Sequence, residues 1–166
     1  MTILDKIISC KREEVTQLAK RVPIKVLEES TFFQMDCISL KQQIQQKDKS
    51  GIIAEFKRQS PSKGIINDTA LVTKTVKGYL DAEASGVSIL TDTKYFGGKN
   101  EDVISAKKIN LGPILRKDFT ISEYQIIEAK SIGADSILLI AAVLSKNEIK
   151  QFTSLAHSLG LEVLLE

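Results

Sequence analysis

From residue 51 onward, short apolar runs alternate along the chain with longer stretches whose apolar residues recur every three or four positions. The runs are GIIAEF (residues 51–56), GVSILTD (86–92), GPILRKDF (112–119), ADSILLIAAV (134–143) and LEVLLE (161–166). Between them, Val72, Val76, Tyr79 and Leu80 fall near one helical face, and so do Ile149, Phe152, Ala156 and Leu159. Such alternation predicts strand–helix units and a parallel sheet. Five strands are legible, and the unit recurs roughly every 25 residues, a length suited to one strand plus one helix. Ser122 with Gln125 and Ser145 with Glu148 have the spacing of a capping box. Gly133 and Gly160 stand where a helix C-terminus favours a residue that turns left-handed.

Residues 1–50 follow another rhythm. Leu4, Ile7, Ile8, Val15 and Leu18 lie near one face of a helix predicted over residues 3–19, and ISLKQQIQQK (38–47) predicts a second, polar helix. The division expected is an N-terminal helical extension, residues 1–50, and a strand–helix domain, residues 51–166. Charge runs such as CKREE read as the solvated face of a helix.

A five-stranded open sheet and part of a (β/α)8 barrel both fit this alternation, and the residues at the strand ends separate them. An open doubly wound sheet would carry a glycine-rich phosphate loop after its first strand, which EFKRQSPSKG is not. A barrel gathers polar residues at the C-terminal ends of several strands. Glu55 and Lys57, Thr91 and Asp92, Lys117 and Asp118, and Glu166 make that pattern. The fold class expected is therefore α/β, the (β/α)8 TIM barrel family, with its first five strands.

Composition narrows the partners. With 23 Lys plus Arg against 21 Asp plus Glu, the formal charge is +2, so nothing demands nucleic acid. Cys10, Cys37 and the single His157 do not make a plausible zinc set, and the two cysteines read as free thiols of a reducing compartment. The N-terminal stretch breaks its apolar residues with charges too early for a signal peptide, and no stretch approaches a membrane span, so the expected location is cytoplasmic.

Residues two apart on a strand share a face, so Glu55 and Lys57 point together, as do Lys117 and Phe119. Two lysines, a carboxylate and an aromatic ring then enter one cavity. A lysine among other cations and apolar walls acts as a general acid near neutral pH, and a carboxylate among lysines stays ionised and serves as a base. RQSPSKG is built to stay irregular, with Pro61 fixing one dihedral and Gly64 freeing another; its Ser60, Ser62 and Lys63 either close over an anionic substrate or form a hydrophilic turn. In KYFGGKNED, Phe96 beside Gly97 and Gly98 reads as a hydrophobic wall on a loop.

Four stretches in order, IIAEFKRQSPSKGII, SILTDTKYFGGKNEDV, PILRKDFTISEYQIIEAKSIGADSILLIAAVL and LGLEVLLE, resemble the indole-3-glycerol phosphate synthase family of tryptophan biosynthesis. The resemblance runs from residue 52 to residue 166, and the N-terminal helices are similar to the extension which that family places before its barrel. It implies a barrel enzyme, a carboxy-lyase that closes the indole ring of 1-(2-carboxyphenylamino)-1-deoxyribulose 5-phosphate, releasing carbon dioxide and water. It implies no metal or organic cofactor. By the same resemblance, Lys117 is the general acid that protonates the substrate carbonyl oxygen, and Glu166 is the carboxylate of the proton transfers that complete dehydration. Glu55 and Lys57 orient the anionic groups and share in proton transfer, Ser60 contacts substrate, and Phe96 and Phe119 pack against its aromatic ring. Glu83 departs from the family, which often has glycine before the second strand, and only a local change in the turn is expected.

That family continues for roughly three more strand–helix units, because a complete barrel needs about 200 residues or more. The expectation is thus an incomplete barrel, with Glu166 at the end of its fifth strand. Its first and fifth strands would be open edges, which invite pairing with a second copy or with a separately made C-terminal half-barrel. The alternative to an enzyme is a non-catalytic fragment that binds anionic substrate or a complementary half-barrel.

Overall fold

Five parallel strands form the centre of the computed structural model, which describes residues 2–109 and 112–166. They are β1 (Ile53–Phe56), β4 (Gly86–Leu90), β5 (Ile114–Lys117), β6 (Ser136–Leu139) and β7 (Glu162–Leu165), hydrogen-bonded in that order. Each strand pairs with the next one of the series, with no reversal of the kind that marks a doubly wound sheet. Helices α4 (Val72–Asp81), α6 (Asn100–Ile109), α7 (Glu123–Ser131) and α8 (Lys146–Ser158) connect them. This is the first part of a (β/α)8 barrel.

The two faces of the strands have different work. On the outer face Phe56, Val87, Ile89, Ile114, Ile137 and Leu139 pack against Val76, Val103, Ala106, Ile126, Ala129 and Phe152 of the helices. Each large apolar side chain buried there contributes about 1.5–3 kcal/mol. On the inner face the parallel register places Glu55, Ser88, Leu115, Ser136 and Glu162 side by side. The runs read from sequence extend past the strands: residues 140–143, apolar throughout, begin the turn that leads to α8.

The N-terminal residues fold as α1 (Ile3–Arg21), α2 (Ile24–Glu28), a 3₁₀ turn (Thr31–Gln34) and α3 (Leu40–Gln45). Helix α1 packs Val15 against Leu27 and Tyr124, and the Tyr124 hydroxyl donates to the Val22 carbonyl at 2.9 Å. Helix α3 covers the N-terminal ends of the strands. Glu162 accepts from the Ser39 hydroxyl at 2.5 Å and from the Lys41 amide at 2.9 Å, and Leu40 presses on Gly86, where a Cβ would meet it at 2.5 Å. With that end covered, the inner face opens toward the C-terminal strand ends and, beside β1 and β7, at the two edges of the sheet.

Two local expectations change, at Ser122 and in the serine loop, and Glu83 shows the local turn effect that was expected. Ser145 and Glu148 do form a capping box, but Ser122 accepts from the Tyr124 amide, and buried Gln125 reaches past it to the Ile121 amide and the Phe119 carbonyl. The serine–loop segment is not irregular throughout: β2 (Gln59–Ser60) and β3 (Gly64–Ile65) pair antiparallel around it. Glu83 sits in the left-handed region at φ 65°, a conformation that costs a residue with a Cβ roughly 1–2 kcal/mol. Among the described residues no helix is long and apolar enough to cross a membrane.

Candidate active site

A cavity of about 270 Å³ lies over the C-terminal ends of the strands, floored by Leu90, Leu138 and Ile140. Glu55, Lys57, Phe96, Lys117, Phe119 and Glu166, six of the seven side chains to which the family resemblance gives a role, line it. Glu55 is the last inward residue of β1, and Lys57 follows it on the same side. Their side chains meet, with Lys57 Nζ 2.7 Å from Glu55 Oε1. Opposite them, Lys117 at the end of β5 donates to Glu166 Oε1 at 2.6 Å. Phe96 closes the short helix α5 (Thr93–Phe96), and its ring centroid lies 6.0 Å from that of Phe119 at a tilt of 38°.

Ser60 is the member set apart. Its buried hydroxyl accepts from the Lys63 amide at 3.2 Å and lies 3.3 Å from the Ser62 hydroxyl, which shapes the loop between β2 and β3. The loop bearing Phe96 is held rather than free: a Cβ on Gly98 would fall 2.0 Å from the Leu90 carbonyl oxygen, so only glycine lets it pack on the end of β4.

Each cavity ion pair leaves part of both groups in solvent; Lys117 is 22% and Glu166 51% exposed. Pairs so placed contribute about 0–1 kcal/mol and exchange partners readily. The cavity thus offers two ammonium donors, two carboxylate acceptors and a tilted aromatic pair.

Behind its wall the polar residues behave differently. Of Thr91, Asp92 and Asp118, expected among the strand-end groups of a site, the two carboxylates turn toward α1, and Thr91 donates to Asp118 and accepts from Arg116. Lys11 of that helix is 1% exposed and lies 3.0 Å from carboxylates of Asp92, Asp118 and Glu14. The reading of CKREE as a solvated face is corrected at this residue: Lys11 stands four residues from both Ile7 and Val15, in the middle of the buried stripe. That spacing was the available signal. Burial opposes the Lys11 charge, but Asp118, Asp92 and Glu14 outweigh it and raise its pKa. Burial would likewise push Asp118 up; Arg116, Lys11 and the 2.5 Å bond from Thr91 instead hold its carboxyl below the usual value. Arg116, buried on the outer face of β5, bonds Glu128 at 2.6 Å and the Gln125 carbonyl at 2.9 Å.

Sequence reasoning also missed Arg58. It makes a two-pronged ion pair with Asp102 at 2.5 and 2.9 Å and lies over the Phe56 ring at 4.8 Å, which fixes the chain just beyond Lys57. Strand alternation was its signal, since Lys57 inward sends Arg58 outward.

A sequentially ordered parallel sheet with charged side chains gathered at its C-terminal strand ends places the protein in the (β/α)8 barrel class. Within that class the chain belongs to the indole-3-glycerol phosphate synthase family, whose sequence profile matches residues 4–166. Relatives bearing that name include one from Bacteroides thetaiotaomicron, 48% identical over 164 residues, which takes in 99% of this chain and 63% of the relative. One from Caldanaerobacter subterraneus subsp. tengcongensis is 39% identical over 99% of this chain and 62% of its own length. One from Polynucleobacter asymbioticus is 40% identical over 99% and 64%. The chain spans less than two thirds of the length of these curated relatives.

Proposed function

We propose that the cavity is the β1–β7 part of an indole-3-glycerol phosphate synthase site, which closes the indole ring of 1-(2-carboxyphenylamino)-1-deoxyribulose 5-phosphate with loss of carbon dioxide and water. The observation that carries this reading is the pair of opposed Lys–Glu couples across a cavity walled by two phenylalanine rings.

The chemistry asks for those groups. The aromatic carbon that bears the carboxylate uses a ring π pair to attack the ketone carbon, and the carbonyl π pair moves onto the carbonyl oxygen. Lys117 gives that oxygen a proton as the new carbon–carbon bond forms. Loss of carbon dioxide returns an electron pair to the ring; departure of the resulting hydroxyl, protonated to water, together with loss of a proton from the adjacent methylene carbon bonded to nitrogen, completes the indole. Glu166, 2.6 Å from Lys117, accepts and returns protons in that second half. Lys57 and Glu55 orient the carboxylate and the sugar chain, while Phe96 and Phe119 pack on the anthranilate ring. Ser60 serves substrate through the shape of its loop as well as by contact. Charge develops on oxygen in the first step and is neutralised by an ammonium already in place, which is where such sites gain most.

In this reading residues 1–50 are an extension seated on the barrel part, residues 51–166. The partner is a small phosphorylated aromatic substrate, and a step between such metabolites fits the cytoplasm. Further strands along the free edges of β1 and β7, from a C-terminal half-barrel or a second copy, would complete the wall.

Turnover followed by indole fluorescence tests the proposal. The purified protein is expected to convert the substrate, and Lys117→Ala to lower kcat by about 10²–10⁴-fold. Turnover that survives Lys117→Ala unchanged would remove Lys117 from the mechanism.

A further inference from the structure

We propose that Lys11, outside the cavity and on the N-terminal helix, is a positioning residue for it: one buried ammonium ties together the two segments that carry the cavity's aromatic wall. The inference rests on the reading of that cavity as the site of ring closure.

Asp92 and Asp118 each do two things. Asp92 follows β4, and its Oδ1 accepts from the Tyr95 amide at 2.8 Å, which caps the helix that ends in Phe96. Its other oxygen lies 3.0 Å from Lys11 Nζ. Asp118 follows β5, directly between Lys117 and Phe119, and its Oδ1 accepts from the Phe119 amide at 2.8 Å while also lying 3.0 Å from Lys11 Nζ. Each carboxylate therefore fixes the backbone that presents one ring, and both converge on the same nitrogen. The rings they present are the two that meet at 6.0 Å in the cavity. Without the ammonium, Asp118 keeps Arg116 and Thr91 but Asp92 loses its cation, the two dry carboxylates on adjacent strand ends repel one another, and the segments that present Phe96 and Phe119 separate. A lysine that served only to seat α1 would disturb Phe96 alone, through the Cys10 contacts of that helix with Lys94 and Tyr95, and leave Phe119 in place.

The test is ¹⁹F NMR of protein labelled with 3-fluorophenylalanine, which places one probe at each of six phenylalanines. In Lys11→Met the Phe96 and Phe119 resonances are expected to move by more than a linewidth while those of Phe32, Phe33 and Phe152 stay. Lys11→Arg, which keeps the charge, should restore both. A Phe119 resonance that stays in place in a folded Lys11→Met protein would overturn the proposal, whatever Phe96 does. If Lys11→Met does not fold, Asp92→Asn decides. It keeps the helix cap but loses one oxygen facing Lys11, so Phe96 should move while Phe119 stays; an unmoved Phe96 sinks the idea. Ring resonances report on Lys11 whether or not the protein turns over, so an inactive wild type counts against the proposed function alone. With turnover, Lys11→Met should lower kcat/KM on the order of 100-fold, the scale of a displacement of about 1 Å.

Discussion

Two groups of lysines and carboxylates flank the end of β5, only one residue apart in sequence, and they are built in opposite ways. Lys117 points inward, has one partner and leaves that partner half in solvent. Asp118 points outward and is closed in by Lys11, Arg116 and Thr91. The same residue types serve different ends according to whether their hydrogen-bonding capacity is spent. A saturated, dry cluster holds segments together, and breaking it strands buried charge. A sparse pair beside an open cavity can trade its partner for a substrate at little cost.

Catalysis should show the contrast most strongly. Lys117→Ala, expected to remove most turnover, should change unfolding free energy in urea by no more than about 1 kcal/mol. Arg116→Met should do the reverse in the outer cluster. It leaves Glu128 and Asp118 without their guanidinium, and equilibrium unfolding should show a loss of about 3–5 kcal/mol. A stability loss of equal size in both variants would erase the distinction.

Acid should reach the outer cluster next. The folded-state pKa of Asp118 lies below 3.8, so its contribution is whole above that pH and is lost as pH falls through the depressed value. Lys11 has the opposite sense: its pKa is raised above 10.5, and its contribution persists below that pH and is lost as pH climbs through the raised value. Thermal melting of the wild type and of Asp118→Asn, followed from about pH 6 to about pH 2, should therefore converge at the acid end. A gap that stays constant would mean that Asp118 gains no stability from its charge.

The smallest effect belongs to a position far from both clusters. Glu83 holds φ 65° where the turn before β4 needs a left-handed residue, with its amide bonded to the Leu80 carbonyl and its own carbonyl accepting from the Ser50 amide. Glu83→Gly should raise stability by about 1 kcal/mol in urea titration and leave turnover untouched. A loss of stability would show that the side chain compensates for the strain.

The departure at Glu83 shows only beside the family pattern, whereas the inward pairing of Glu55 with Lys57 is legible in the residues alone, because strand alternation is a local rule. Ser145 and Glu148 announce the start of α8 for the same reason. Ser122 and Gln125 announce a helix equally well, yet buried Gln125 finds partners in the segment after Lys117 that spacing alone does not reveal. Lys11 escapes such a reading because a charge beside three other charged residues looks solvated until the carboxylates that receive it are brought to the same place.

By itself, the sequence determined what repeats along the chain: five strands with helices between them, their order, and which side of each strand its polar end faces. Those follow from periods of two and 3.6 residues, which act over a few neighbours. Only the tertiary structure decided which charges meet. Lys11 and Asp118 are more than a hundred residues apart, as are Ser39 and Glu162. Whether such a charge is solvated, spent on a neighbour or left facing a cavity depends on packing that no local period encodes.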